Sequence, residues 1–135
     1  MPRHTVERFM TVAPVVIGSD RPLADAQRLM RERDIRHLPV VEGGRLVGIV
    51  SQRDLYLIGT LRTVDPAFAP VREAMTADPY AVPPDAALED VAAVMSERRY
   101  GAAVVVDRGA VIGVFTTVDA LRALSALLRR RPRRG

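Results

Sequence analysis

The chain has 135 residues, of which 48% are hydrophobic and only 4% aromatic, so we expect one compact domain or two small repeats with an aliphatic core. It contains no cysteine, which excludes disulfides, thiolate metal sites and cysteine nucleophiles. The net charge of +4 comes from the end of the chain, because without the five Arg residues among the last seven positions 15 basic residues face 16 acidic ones. No apolar stretch reaches the roughly 18 residues of a membrane span, and the start lacks the apolar centre of a signal peptide. We therefore expect a cytoplasmic protein without a membrane partner.

The first half of the chain predicts an alternation of helices and strands. Ser19 to Pro22 are typical of a helix start. Gly43 and Gly44 predict a tight hairpin turn, because glycine accepts the positive φ that such turns need. The predicted elements are a short helix in 2–10, an extended segment 11–17, a helix ending near residue 33, strands 37–42 and 45–50, and a helix from 51 to about 61.

The second half repeats this pattern at a constant shift of 65 residues, with 14 identities in the 45 pairs that begin with Met10 and Met75. Each unit has the predicted order strand, helix, strand, strand, helix. The predicted fold class is therefore α/β, with strands and helices mixed in the α+β manner. Packing two such units together would cover both exposed sheet faces. The sequence predicts repeat 1 at 7–61, a linker at 62–70, repeat 2 at 71–128 and a basic, disordered tail at 129–135.

One motif occurs in both halves, as Gly48–Asp54 and as Gly113–Asp119. Each copy ends a β-branched run with a hydroxyl, Ser51 or Thr116, and places an Asp three residues later. The pattern predicts a strand that runs into a helix with an N-cap hydroxyl and a carboxylate in its first turn. For a single copy, the Asp could simply favour the helix dipole. The repetition favours a binding role.

The ordered segments "RHLPVVE" and "RLVGIVSQRDL", and later "AAVVVDRGAVIGVFTTVDAL", resemble CBS domains, and together they resemble a tandem CBS pair, or Bateman module, over about residues 7–125. The resemblance implies pseudo-two-fold packing of the repeats and two clefts that bind adenosine-containing ligands. It implies AMP, ADP or ATP as the ligand, with NAD and S-adenosylmethionine as alternatives, and no required cofactor.

The resemblance also implies which residues form the two clefts. Asp54 and Asp119 would hold the ribose hydroxyls, and a carboxylate can accept from two vicinal hydroxyls. The first cleft would comprise Ser51, Arg53, Asp54, Arg36 and His37, completed by Pro79, Tyr80 and Val82. The second would comprise Thr116, Thr117 and Asp119, completed by Thr11, Ala13 and Val15. At the phosphate-side positions of Arg36 and His37, the second repeat has Gly101 and Ala102. Tyr100 would stack on an adenine or only cover a cleft mouth.

The sequence leaves three classes of function to consider. The first is a nucleotide-sensing module that forms a homodimer and signals to a regulated protein partner. Its dimer interface would use apolar helix faces with Leu55, Leu57 and Ile58, and with Leu121, Leu124, Leu127 and Leu128. An enzyme is disfavoured, because the spacing suggests no nucleophile–base pair, catalytic residue or metal site. The third class is a ligand-controlled nucleic-acid-binding protein, with the repeats as the switch and the arginine tail as the binding segment, although the tail lacks the aromatic residues of a single-strand platform.

Overall fold

The computed structural model describes residues 2–12 and 15–130. The chain divides into two compact units. One unit contains the described parts of 1–12, 80–107 and 112–135, and the other contains 13–79 and 108–111. Each unit therefore combines the body of one repeat with chain from outside that repeat. The last five arginine-tail positions, 131–135, lie outside the described residues.

The predicted alternation is confirmed, and the described residues form eight strands and four α-helices. The strands are β1 (Thr11–Val12), β2 (Ile17–Gly18), β3 (His37–Glu42), β4 (Arg45–Ser51), β5 (Thr76–Ala77), β6 (Ala81–Val82), β7 (Ala102–Asp107) and β8 (Ala110–Thr116). The helices are α1 (Leu23–Arg33), α2 (Gln52–Gly59), α3 (Leu88–Arg98) and α4 (Thr117–Arg129). Short 3₁₀ helices occupy Val6–Arg8 and Val71–Glu73. The fold class is mixed α+β, as predicted.

Each unit has one four-stranded sheet, in the orders β2-β3-β4-β5 and β6-β7-β8-β1. In each sheet one edge strand, β5 or β1, comes from the first segment of the other repeat. Thr76 of β5 lies opposite Ile49, and Thr11 of β1 lies opposite Val114, in antiparallel pairing. This exchange of edge strands brings the start of the chain next to the last helix.

The first backbone N–H groups of α1 and α3 are satisfied by distant carbonyls. Leu23 N donates to Ala69 O at 2.8 Å, and Leu88 N donates to His4 O at 3.0 Å. These bonds replace a side-chain cap, because the first four N–H groups of a helix lack partners within it. The predicted start signal is confirmed in its position, because α1 begins at Leu23, directly after Pro22. The Ser19 hydroxyl does not cap the helix and donates to Glu42 at 2.6 Å.

Glycines in the two motif copies allow a close approach of chain segments. A Cβ on Gly48 would lie 3.0 Å from the carbonyl oxygen of Thr76, and a Cβ on Gly113 would lie 3.0 Å from that of Thr11. Any larger residue would push the edge strand away. The predicted turn is confirmed as well, because Gly43 and Gly44 have φ of 54° and 81°.

The core is aliphatic, as predicted, with one cluster in each unit. Leu23, Leu38 and Val50 are fully buried in one cluster, and Phe115 is fully buried in the other. The helix faces differ from the predicted dimer interface. Leu55 packs into the core and is 3% exposed, because it lies on the α2 face that contacts the sheet, and Ile58 and Leu127 are also partly buried against the core clusters. Within 2–12 and 15–130, no helix has the length and apolar character needed to cross a membrane.

Candidate functional site

The first motif joins the end of β4 to the start of α2. Ser51 is the N-cap, and its hydroxyl accepts a hydrogen bond from the Asp54 backbone N–H at 3.1 Å. The Asp54 Oδ2 accepts from the Ser51 backbone N–H at 2.8 Å. This reciprocal pair is a capping box, which fixes the carboxylate at the helix N-terminus.

The second motif has the same geometry where β8 runs into α4. The Asp119 N–H donates to the Thr116 hydroxyl at 3.3 Å, and the Thr116 N–H donates to Asp119 Oδ2 at 2.9 Å. The predicted N-caps and first-turn carboxylates are thus confirmed in both copies. In each unit, a hydroxyl and a carboxylate lie at the positive end of a helix dipole, where an anion is favoured.

The Asp119 carboxylate is almost fully engaged by the protein. Thr11 on β1 donates its hydroxyl to Oδ1 at 3.2 Å and to Oδ2 at 3.3 Å. Arg122, one turn further along α4, places its guanidinium 3.9 Å from Oδ1. Asp119 is only 4% exposed. The sequence analysis missed Arg122, although its spacing of three residues from Asp119 on a helix is the signal for such a pair.

The Asp54 carboxylate is more open. It is half-buried, and of the residues that the structure describes only Ser51 donates a hydrogen bond to it. Thr76 of β5 corresponds to Thr11 at the 65-residue shift. Within the described ranges no hydrogen bond joins the Thr76 side chain to Asp54. Asp54 Oδ1 therefore keeps its capacity to accept.

Arg36 and His37 lie at the start of β3, beside the first motif. His37 pairs with Ser51 across the β3–β4 ladder, and the Arg36 carbonyl accepts from the Gln52 N–H at 2.8 Å. Burial lowers the pKa of His37 below 6.5, Asp54 opposes this shift, and Arg36 adds to it. The largest of these effects is burial, because the half-buried imidazole loses solvation when it is charged. Arg36 and Arg53 are exposed.

At the corresponding place in the second repeat, Gly101 and Thr117 contact each other. The Gly101 carbonyl accepts from the Thr117 N–H at 3.1 Å and from its hydroxyl at 3.3 Å. Thr117 lies two residues before Asp119, so about 200° of helix rotation separates their side chains. The structure therefore places Thr117 on the side of α4 away from the Asp119 carboxylate.

The other predicted site residues are distributed between the two units. Val15 is half-buried against the core of the first repeat, and Val82 is a core residue of the second. Tyr80 packs against Tyr100 with ring centroids 5.5 Å apart, and burial, Asp90 and Tyr100 raise its pKa. Ala13 lies outside the described residues. Among the described residues predicted to complete a cleft, Thr11 is the one that contacts its predicted partner, Asp119. The completion of the first cleft by Pro79, Tyr80 and Val82 stays a prediction.

A comparison with models of known protein families also finds the same unit twice in this chain. The sequence model of the CBS domain matches residues 6–58 and 71–126. The chain belongs to the CBS-domain family. These two matched segments make it a CBS pair, and the resemblance noted from the sequence is confirmed.

Three relatives illustrate what the CBS pair is similar to. Inosine-5'-monophosphate dehydrogenase of Korarchaeum cryptofilum is 33% identical over 116 residues, which are 84% of this chain and 23% of that enzyme. The chain thus spans under a quarter of that relative. The CBSX2 protein in complex with AMP is 30% identical with a TM-score of 0.77, over 93% of this chain and 99% of CBSX2. The CBS pair of MJ0100, in complex with 5'-methylthioadenosine and S-adenosyl-L-methionine, is 25% identical with a TM-score of 0.84, over the same shares of both chains.

Proposed function

We propose that this CBS pair is a regulatory module, not an enzyme, that binds an adenine nucleotide and communicates its occupancy to a protein partner. The observation that carries the proposal is the Asp54 carboxylate, which the Ser51 capping box holds at the start of α2 with Oδ1 available. The AMP complex of CBSX2 and the S-adenosyl-L-methionine complex of MJ0100 support an adenosine ligand. AMP, ADP and ATP are our first candidates.

The charges around Asp54 suit a nucleotide in a defined orientation. The carboxylate would accept from the ribose hydroxyls, and charge-assisted bonds of this kind are roughly twice as strong as neutral ones. Phosphates would lie toward the N-terminus of α2 and the exposed guanidiniums of Arg36 and Arg53. Because burial lowers the pKa of His37, the neutral imidazole is favoured and would act as a hydrogen-bonding group instead of a cation.

The two clefts would be unequal. The Asp119 carboxylate already accepts from Thr11 and Thr116 and is 4% exposed, so a ribose would have to displace an internal hydrogen bond. Gly101 and Ala102 supply no cation where the first repeat has Arg36 and His37. We therefore assign ATP or ADP to the Asp54 cleft. The Asp119 cleft would bind weakly or prefer a ligand with less charge.

Calorimetry tests this proposal by comparing ligand affinities of the wild-type protein with those of Asp54→Ala and Asp119→Ala. The ligands are AMP, ADP, ATP, NAD and S-adenosylmethionine. Loss of charge-assisted bonds worth roughly 1.5–3 kcal/mol should weaken the tightest site ten- to hundred-fold in Asp54→Ala. Asp119→Ala should leave that site within about twofold. Unchanged nucleotide binding in the double variant would refute the ribose assignment, provided that circular dichroism shows both proteins folded.

Exposed apolar side chains on α4 support a two-fold symmetric homodimer. Val118, Leu121, Leu124 and Leu128 are 52%, 60%, 53% and 75% exposed. Their spacing of three or four residues puts them along one stripe of the helix, and such a patch marks an interaction surface. A symmetric dimer would bury the stripe of each chain against the same surface of its mate.

A further inference from the structure

A cavity of about 420 Å³ lies between the second half of α3 and the first turns of α4. Its lining combines small and apolar side chains with a few polar ones. The lining residues are Ala92, Met95, Ser96, Arg99, Tyr100, Gly101, Thr117 and Ala120. This volume lies in the range of small-molecule sites, roughly 300–1,000 Å³, which are mostly apolar with a few polar groups.

The cavity exists because the second repeat has small residues where the first repeat has large ones. At the 65-residue shift, Ala92, Ser96, Gly101, Thr117 and Ala120 replace Gln27, Arg31, Arg36, Gln52 and Leu55. Leu55, the counterpart of Ala120, is 3% exposed and packs into the core of the first repeat. Larger side chains thus stand along the helix–helix groove of the first repeat, whereas small ones leave the groove of the second repeat open.

The cavity is separate from the Asp119 carboxylate. Thr117 and Ala120 are three residues apart on α4 and share the face that lines the cavity. Asp119 is not among the lining residues, and its carboxylate contacts Thr11 on β1. A ligand in the cavity would therefore leave the ribose-binding carboxylate free.

The chemistry of the lining selects an organic anion. Met95 is 5% exposed, and with Ala92 and Ala120 it offers an apolar floor. Arg99 is the one charged residue among the eight that line the cavity, and the first repeat has Asp34 at that position. The Thr117 hydroxyl already donates its proton to Gly101, so Arg99 is the group that would hold a carboxylate in the cavity.

We propose that the α3–α4 cavity is a second binding site, which takes a small organic monocarboxylate with its apolar body on Met95 and its carboxylate at Arg99. The site is independent of the nucleotide proposal and can stand if that proposal fails. An aromatic body is favoured over an aliphatic one because the methionine sulfur makes favourable contacts with aromatic rings. The Tyr100 ring, 41% exposed, borders the same space.

An NMR titration of the full chain with phenylacetate tests the proposal. The methyl signals of Met95, Ala92 and Ala120 report the binding. We expect saturable shifts that are confined to these methyls and unchanged by saturating AMP. Phenylacetate should bind about fivefold tighter than phenylacetamide, and the factor is modest because an exposed ion pair is worth little. In Arg99→Asn the preference for the acid should vanish. Asn tolerates the left-handed backbone of position 99, where φ is 59°, so the fold should persist.

Residues of the first repeat provide the matched controls. Ala92→Gln with Ala120→Leu should fill the cavity and abolish the shifts, and Ser96→Arg at the exposed rim gives the same test without a core change. Asp34→Arg puts a cation at the filled groove of the first repeat and should create no site. Non-saturating shifts, retained binding in the filled variants, or a new site in Asp34→Arg would each overturn the proposal. So would methyl shifts that depend on protein concentration alone, which would show that a second copy of the chain occupies the cavity.

Discussion

Thr11 donates its hydroxyl to both carboxylate oxygens of Asp119, at 3.2 and 3.3 Å, across 108 residues of sequence. This bond ties the first strand of the chain to its last helix. The corresponding threonine of the other unit, Thr76, makes no such bond to Asp54 among the residues that the structure describes. The two motif copies therefore share a backbone geometry but differ in how far the protein satisfies the carboxylate.

Thr11→Val should destabilise the protein, because it removes this hydroxyl from a buried carboxylate without changing side-chain shape. A hydrogen bond to a charged group contributes roughly 1.5–3 kcal/mol. We expect a loss of about 1–2 kcal/mol in the free energy of unfolding, measured by urea denaturation. The matched variant Thr76→Val should stay within roughly 0.5 kcal/mol. Equal losses in the two variants would contradict a specific role for the Thr11 bond.

The same variant tests the inequality of the two clefts. If the Thr11 hydroxyl competes with ribose for Asp119, Thr11→Val should tighten binding of adenosine at the weaker site by about five- to thirtyfold, which corresponds to the roughly 1–2 kcal/mol expected for the lost bond. Calorimetry with adenosine measures this change, and Asp119→Ala identifies the site. Weaker adenosine binding in Thr11→Val would instead show that Thr11 contacts the ligand directly.

The regular elements could be predicted from the sequence because their signals are local. The strand His37–Glu42, the Gly43–Gly44 turn and the caps Ser51 and Thr116 follow from β-branched runs, glycine and hydroxyl placement. The proximity of Thr11 and Asp119 followed only from the family resemblance, because no local signal in the sequence shows that the repeats exchange edge strands. Helix periodicity alone likewise cannot decide which apolar residues face the sheet.

Leu55 and Leu57 illustrate that last limit. Both belong to the apolar set of α2, yet Leu55 is 3% exposed and Leu57 is 60% exposed. The two residues are two positions apart, so they point to nearly opposite sides of the helix. Which side meets the sheet depends on how the chain leaves β4, and that direction is a property of the folded unit.

Arg36→Ala should weaken ATP binding far more than adenosine binding, because an arginine at the phosphate end contributes only when phosphates are present. We expect roughly a tenfold loss for ATP, equivalent to about 1.4 kcal/mol, and less than twofold for adenosine. Arg45→Ala, at the far end of β4, is a control that removes the same charge from an exposed position. Calorimetry at one ionic strength compares the three proteins. An equal loss for ATP and adenosine would remove Arg36 from the phosphate side.

His37 should make both stability and ATP binding depend on pH. Burial lowers its pKa in the folded state below the unfolded value of 6.5, so the unfolded state binds the proton more readily. Stability should therefore be independent of His37 above pH 6.5 and should fall as the pH drops from 6.5 through the folded pKa. Thermal melts of His37→Gln should show a smaller drop over this range. Bound phosphate favours the charged imidazole, so a fall in pH should favour ATP binding more in the wild-type protein than in His37→Gln.

Leu121→Glu combined with Leu124→Glu should convert the proposed homodimer to a monomer. Both side chains are more than half exposed on α4, so the substitutions should leave the core of the unit intact. Like charges facing each other across a two-fold axis would oppose association, because a symmetric interface brings each glutamate near its own copy. Light scattering with size-exclusion chromatography measures the mass, and circular dichroism confirms the fold.

Ala126→Glu is the control for this prediction. Ala126 is also exposed on α4 but lies off the apolar stripe, so the variant should keep the mass of the wild-type protein. A monomeric wild-type protein at tens of micromolar would contradict the dimer, and loss of association in Ala126→Glu would show that the interface is not confined to the stripe.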